Sequence, residues 1–110
     1  LEEILQDRDR PIFVAAEGNF VAGYCFCVEK TFRDNKELYI DDLCVDEAYR
    51  GSDVAASLYR HACGHAKGLG CAFVTLNVWC GNDRAHRFYE KMGLTPRSVM
   101  MEMPLEETQC

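Results

Sequence analysis

The spacing of apolar positions changes period several times along the chain, and each change predicts an element. In LEEILQDRDR (1–10), Leu1, Ile4 and Leu5 fall at helical spacing and Pro11 stops the run, which predicts the end of a helix. IFVAAE (12–17) and FVAGYCFCVEK (20–30) are apolar runs joined by Gly18-Asn19, the pattern of a hairpin. Gly23 inside the second run predicts a bulge or a close backbone approach. TFRDNKE (31–37) reads as a polar loop, LYIDDLCV (38–45) as a third strand and DEAYRGS (46–52) as its exit. From Asp53 to Lys67 the period is helical: Val54, Leu58, Ala62 and Ala66 form a stripe, with Ala55 and Tyr59 alongside. Ser52 or Asp53 is placed to cap that helix, and Gly68-Leu69-Gly70 ends it. CAFVTLNVW (71–79) is apolar enough for a central strand. Asn82 caps a short helix over 83–92, with Ala85, Phe88 and Met92 on one face and Gly93 as its stop. SVMMEMP (98–104) predicts a last strand. The order α-β-β-β-α-β-α-β is that of an α/β (α+β) protein, and the stretch from 38 to 79 predicts a parallel pair with a right-handed crossover.

Composition narrows this picture. At 110 residues and 12.5 kDa, the chain holds one domain over 1–110 rather than two cores. Its 48% hydrophobic content excludes a disordered chain, and no apolar run reaches the roughly 18–20 residues of a membrane span. It opens on Leu1 with no signal-peptide pattern, which reads as a processed chain or a piece of a longer one. The net charge of −6 lies wholly in residues 1–50, where Asp41, Asp42, Asp46 and Glu47 cluster. That balance disfavours nucleic acid as a partner and favours a cationic one. Seven cysteines, an odd number with no C-x-x-C pair, read as mostly unpaired thiols in a reducing cytoplasm.

Two segments carry chemistry. The strand–loop–helix LCVDEAYRGSDVAASL (43–58) feeds a tight Arg-Gly-Ser turn into a helix, which aims backbone N–H groups at one point, a general anion site. NDRAHRFYEKMGL (82–94) is a capped amphipathic helix. In this order they resemble the GNAT superfamily of acetyl-CoA-dependent N-acetyltransferases. The family's phosphate loop, Q/R-x-x-G-x-G/A after a strand ending L-x-V, falls on Arg50-Gly51-Ser52-Asp53-Val54-Ala55 after Leu43-Cys44-Val45. Its later pattern, N-x-x-A-x-x-[FL]-Y-x-x-x-G-[FL], is met by Asn82, Ala85, Phe88, Tyr89, Gly93 and Leu94. The resemblance covers about residues 12–104.

The resemblance implies a mixed, mostly antiparallel sheet flanked by helices and splayed between the strands at 38–45 and 71–79, with acetyl-CoA as cosubstrate in the splay. Backbone groups of Leu43, Cys44 and Val45 would hold the pantetheine arm and thioester carbonyl. The N–H groups from Arg50 to Ala55 would cradle the pyrophosphate, Asn82 would bond the pantetheine region, and Tyr89 would give the leaving thiolate a proton. Some amine-acetylating members carry an acidic pair before L-x-V, which makes Asp41, the first of Asp41 and Asp42, the base that frees the amine. As adjacent strand residues the two would face opposite sides of the sheet and could not share that role. No metal is implied. The acceptor would be a primary amine of a small molecule or peptide.

Two departures qualify the match. The fourth loop position, normally Gly, is Asp53, whose carboxylate would repel a pyrophosphate or else cap the helix. The family's first strand and helices are missing, so the domain reads as incomplete at its N-terminus. An exposed edge at 12–17 would then favour pairing with a second copy. The competing class is a non-catalytic coenzyme-A-binding or dimerisation module. A third, a metal site on His61-x-x-x-His65, lacks a third and fourth ligand, because Cys63 points elsewhere on the helix.

Overall fold

The computed structural model describes residues 3–6 and 11–106, the first four by their backbone alone. The chain divides into two compact units, Leu1–Asn77 and Val78–Cys110.

The first unit is a five-stranded sheet in sequence order with one helix against it. Strands β1 (Glu3–Gln6), β2 (Ile12–Glu17), β3 (Phe20–Phe32) and β4 (Asn35–Val45) form an antiparallel meander. β5 (Phe73–Leu76) joins β4 in parallel after the crossover helix α1 (Val54–Gly68). The parallel β-α-β expected over 38–79 is thus present.

The helix expected in 1–10 is replaced by β1 wherever those residues are described; the remainder of that run lies outside the described residues. Ladder bonding from Glu3↔Ala16 to Gln6↔Phe13 overrides a short helical spacing, because an open sheet edge supplies partners that an isolated turn of helix lacks. The same ladder covers the edge of 12–17, which is therefore not open to another chain. The polar loop expected over 31–37 is also mostly strand. Only Arg33 and Asp34 lie in the turn, with φ of 50° and 66°, as a two-residue hairpin loop with right-twisted strands requires. Replacing Arg33-Asp34 by Asn-Gly, which prefers that backbone, is expected to stabilise the protein by about 1 kcal/mol, read as a higher thermal midpoint.

The core lies between α1 and one face of the sheet. Phe13, Ala15, Cys25, Leu38, Leu58 and Ala62 have no exposed surface, and Ile40, Val54 and Ala66 are nearly as buried. The helical stripe Val54, Leu58, Ala62 and Ala66 faces inward as its spacing predicts. Gly23 makes the close approach: a Cβ there would lie 2.7 Å from the Cys44 carbonyl oxygen and 3.2 Å from Leu58 and Val54. His61 and His65 meet the Phe13 ring edge-on, at centroid distances of 4.9 and 5.3 Å.

β5 is shorter than the predicted run of 71–79 and ends the sheet instead of sitting centrally, with Phe73 about half exposed. The second unit holds α2 (Asp83–Lys91), capped by Asn82, whose side chain accepts from Ala85 N–H at 3.2 Å. It ends as predicted at Gly93, where Leu94 N–H reaches back to Tyr89 O at 3.0 Å. The strand expected at 98–104 is absent. Val99, Met100, Met101 and Met103 are strongly exposed, and no ladder partner exists for them among the described residues. No helix among the described residues is long and apolar enough to cross a membrane.

Candidate functional site

The site grows out of an irregularity in β4. Its register with β3 runs Asp42↔Phe26 and then Ile40↔Cys27, so Asp41 is an extra residue with no partner of its own, a β-bulge. The bulge moves the phase of the strand by one residue. Leu38 and Ile40 before it, and Leu43 and Val45 after it, thereby share the α1 side, while Asp42 and Cys44 take the other with Tyr24 and Phe26. The alternation expected across Asp41 and Asp42 therefore does not hold. The spacing Leu38-x-Ile40-x-x-Leu43-x-Val45 already carries this phase change in the sequence.

The ladder to β5 stops at the same place. It runs from Glu37↔Phe73 to Ile40↔Leu76 and no further, so Asp41–Val45 is bonded to β3 only, within the described part of this unit. Polar links hold the two strands up to that point: Thr75 Oγ1 donates to the buried Glu37 carboxylate at 2.9 Å, and Asn77 Nδ2 to Tyr39 Oη at 2.9 Å. β4 thus leaves its parallel neighbour with a row of backbone groups, those of Leu43, Cys44 and Val45 included, along a half-exposed edge.

β4 then turns into α1 through a 3₁₀ turn at Glu47–Tyr49. The Asp46 carboxylate caps it by accepting from Ala48 N–H at 2.9 Å. Tyr49 anchors the turn to the β2–β3 end: its hydroxyl donates to Glu17 at 3.1 Å and its ring meets Phe20 at 5.7 Å. Arg50 is exposed, and Gly51 has φ of +84° with nothing within 4 Å of where a Cβ would stand. That left-handed turn suits Gly and sets the chain onto the helix axis. Ser52 splits its roles: its hydroxyl donates to Tyr49 O and accepts weakly from Val54 N–H at 3.4 Å. The first intrahelical bond is Ser57 N–H to Asp53 O, so the N–H groups of Ala55 and Ala56 point out of the helix start without an acceptor inside it.

Asp53 occupies the cap position but does not cap. Its carboxylate runs along the outside of α1, accepting from Ser57 Oγ at 3.1 Å and pairing with Arg60 at 3.3 Å. The pair is well exposed, so it stabilises little, but it draws the carboxylate away from the turn.

On the sheet face away from α1, Tyr24 Oη donates to Asp42 Oδ2 at 3.0 Å, and its ring meets Phe26 edge-on at 5.3 Å. Residue spacing alone did not single out Tyr24; the bulge, which puts Asp42 on the same face, is the signal that could have. On the opposite face Cys25 and Cys27 sulfurs lie 3.7 Å apart, buried. The hydrogen bond with Cys27, then burial, pushes the Cys25 thiol up, so it is held protonated and unreactive. All six described cysteines are free. No three His, Cys, Asp or Glu side chains gather as a metal site among the described residues.

The structure thus brings Asp41, Leu43, Cys44, Val45 and Arg50 through Ala55 together on one strand–turn–helix corner of the first unit. Asn82 and Tyr89 stand on α2 in the second unit. Tyr89 is half-buried, its ring packed on Phe88 with centroids 5.0 Å apart. His86 on the same helix is half-buried, with a ring nitrogen 3.2 Å from Trp79 O.

A mostly antiparallel sheet whose one parallel pair parts at a bulge, beside a glycine turn into a crossover helix, defines a mixed α/β architecture. Residues 1–94 match the profile of the Acetyltransferase (GNAT) family, and the chain belongs to that family. It is 31% identical over 106 residues to a glucosamine 6-phosphate N-acetyltransferase of Arabidopsis thaliana, covering 91% of this chain and 69% of that protein. A rice relative of the same description is 32% identical, with 79% of this chain and 52% of the relative covered. An uncharacterised N-acetyltransferase of Mycobacterium tuberculosis is 31% identical over 83% of this chain and 56% of its own length. Among solved structures, a Pyrococcus furiosus protein provisionally described as an acetyl transferase superposes with a TM-score of 0.81 at 28% identity, covering 86% of this chain and 65% of that one. The chain therefore spans about half to two thirds of the length of the proteins it matches.

Proposed function

We propose that the protein transfers an acetyl group from acetyl-CoA to a primary amine by direct attack. The observation that carries this reading is the release of β4 from β5 at Ile40↔Leu76, followed at once by the Gly51 turn into α1. A strand edge that is unpaired on one side can bond an extended pantetheine arm as a neighbouring strand would, through Leu43, Cys44 and Val45. The turn and helix start from Arg50 to Ala55 would receive the pyrophosphate. In the reaction the amine nitrogen bonds to the thioester carbon and the carbon–sulfur bond breaks. The proton lost by nitrogen goes to the Asp41 carboxylate, and the coenzyme A thiolate takes one from Tyr89. N–H donors on the strand edge would stabilise the charge that builds on the carbonyl oxygen. Tyr89 and Asn82 have these roles from their places in the family pattern. The glucosamine 6-phosphate named in two relatives makes an amino sugar one acceptor to try. We also propose a reducing, cytoplasmic setting, on the free thiols. Any pairing with a second copy on the β2 side of the sheet would use β1, the outer strand there.

The second reading, a coenzyme-A-binding module without turnover, is favoured by Asp53. Calorimetric titration with acetyl-CoA, followed by mass detection of acetylated product across an amine panel, separates the two. Binding without product on any amine would support the module, and absence of binding would defeat both. In the same titration Asp53→Gly is expected to tighten acetyl-CoA severalfold, because it removes like charge from the anion corner. Unchanged or weaker binding would show that Asp53 does not repel the cofactor.

A further inference from the structure

We infer that Tyr24 is a positioning residue, whose hydroxyl holds the Asp42 carboxylate to receive the ammonium of an acceptor carried on an apolar body, flanked by Phe26. This rests on the acetyltransferase reading and deepens it by naming the acceptor class.

Three observations meet here. Asp42 follows the bulge, one residue before the strand edge assigned to the thioester, so an amine paired with it stands beside the group it must attack. One of its two carboxylate oxygens accepts from Tyr24 at 3.0 Å, although both residues have access to solvent. That bond fixes the side-chain rotamer and leaves the second oxygen for a ligand. Apart from Asp41 in the bulge, the positions around it on this face are uncharged: Phe26 directly across, 40% exposed, and Tyr24 and Cys44 one pair along. The nearest cation further along the face, Lys30, lies over the Tyr39 ring at 3.9 Å. A carboxylate rimmed by two aromatic rings suits an ammonium with a hydrocarbon or aryl neighbour better than an anionic sugar phosphate. Asp42 also pushes the Tyr24 hydroxyl up to about 12, so the donor keeps its proton across the working pH range.

The roles of the two aspartates then separate. Asp42, held by Tyr24, takes the charge of the incoming ammonium; Asp41, the unpaired bulge residue, takes the proton whose loss frees the amine, and the second proton, shed as the amide forms, passes to water.

The test uses phenethylamine as probe and glucosamine 6-phosphate as the anionic comparator, with acetylated product measured by mass so that the exposed cysteines do not react with a thiol reagent. Wild-type protein is expected to acetylate phenethylamine with the lower KM. Tyr24→Phe is expected to raise KM for phenethylamine roughly tenfold and leave KM for acetyl-CoA within about twofold. Asp42→Asn should raise the amine KM at least as far, and the double variant no further than Asp42→Asn alone, because the two act through one contact. Thermal midpoints of the variants check that they are folded. An unchanged amine KM in Tyr24→Phe, additive effects in the double variant, or a preference for glucosamine 6-phosphate would each overturn the inference. If another amine of the panel is acetylated but phenethylamine is not, the inference fails and the acetyltransferase reading stands; if acetyl-CoA binds and no amine is acetylated, or acetyl-CoA does not bind, both fail.

Discussion

Replacing Tyr89 by Phe is expected to lower kcat about a hundredfold while leaving KM for acetyl-CoA and for the amine nearly unchanged. An acid placed at a leaving thiolate contributes on the order of 10²–10⁴-fold, and a hundredfold loss corresponds to about 2.7 kcal/mol of transition-state stabilisation. The substitution keeps the ring that packs on Phe88, so α2 should hold its form while the proposed proton donor is removed. The split between kcat and KM matters, because a residue that merely shaped the cofactor site would move KM. A variant with undiminished kcat would remove Tyr89 from the chemistry and leave the thiolate to be protonated by water.

The second large effect concerns stability. Gly23→Ala places a methyl group 2.7 Å from the Cys44 carbonyl oxygen, closer than backbone contacts allow, and 3.2 Å from Val54 and Leu58. The strand or the helix must shift, and overpacking of this kind costs about 1–3 kcal/mol. For a domain of this size that should lower the thermal midpoint by roughly 5–15 °C. Because Cys44 belongs to the strand edge proposed to hold the pantetheine arm, acetyl-CoA binding should weaken with it. Gly64→Ala is the matched control. Gly64 is an exposed position inside α1 with nothing within 4 Å of a Cβ, so there the same change should raise the midpoint through helix propensity. Equal midpoints for the two variants would mean that the sheet and helix are not held at the spacing seen here.

Much of this site can be followed from residue to role without coordinates. The helical stripe of α1, the caps at Asn82 and Gly93, the hairpin around Gly18-Asn19 and the close approach at Gly23 all depend on local period or on the properties of one residue type. The family pattern falls on residues whose local conformation follows from their own chemistry: a glycine turn at Gly51 and an asparagine cap at Asn82. The bulge at Asp41 was also written in the spacing of Leu38, Ile40, Leu43 and Val45, but a strict two-residue alternation hides it. Recognising it requires asking which face each apolar residue must share.

Other features were out of reach because their determinants lie far along the chain. Glu3–Gln6 has helical spacing, yet it becomes a strand because β2 offers it a ladder. Residues 98–104 have strand-like composition, yet form no strand, because a strand takes its hydrogen bonds from a neighbour and none is there among the described residues. The fate of Asp53 had a nearer cause. Its type suits a helix cap, but Ser57 and Arg60, one and two turns along, draw its carboxylate outward. The sequence by itself therefore determined the elements whose hydrogen bonds close within a few residues, and the family. Tertiary structure alone decided which strands pair, where β4 parts from β5, and that Asp42 meets Tyr24, because those bonds join residues that only folding makes neighbours.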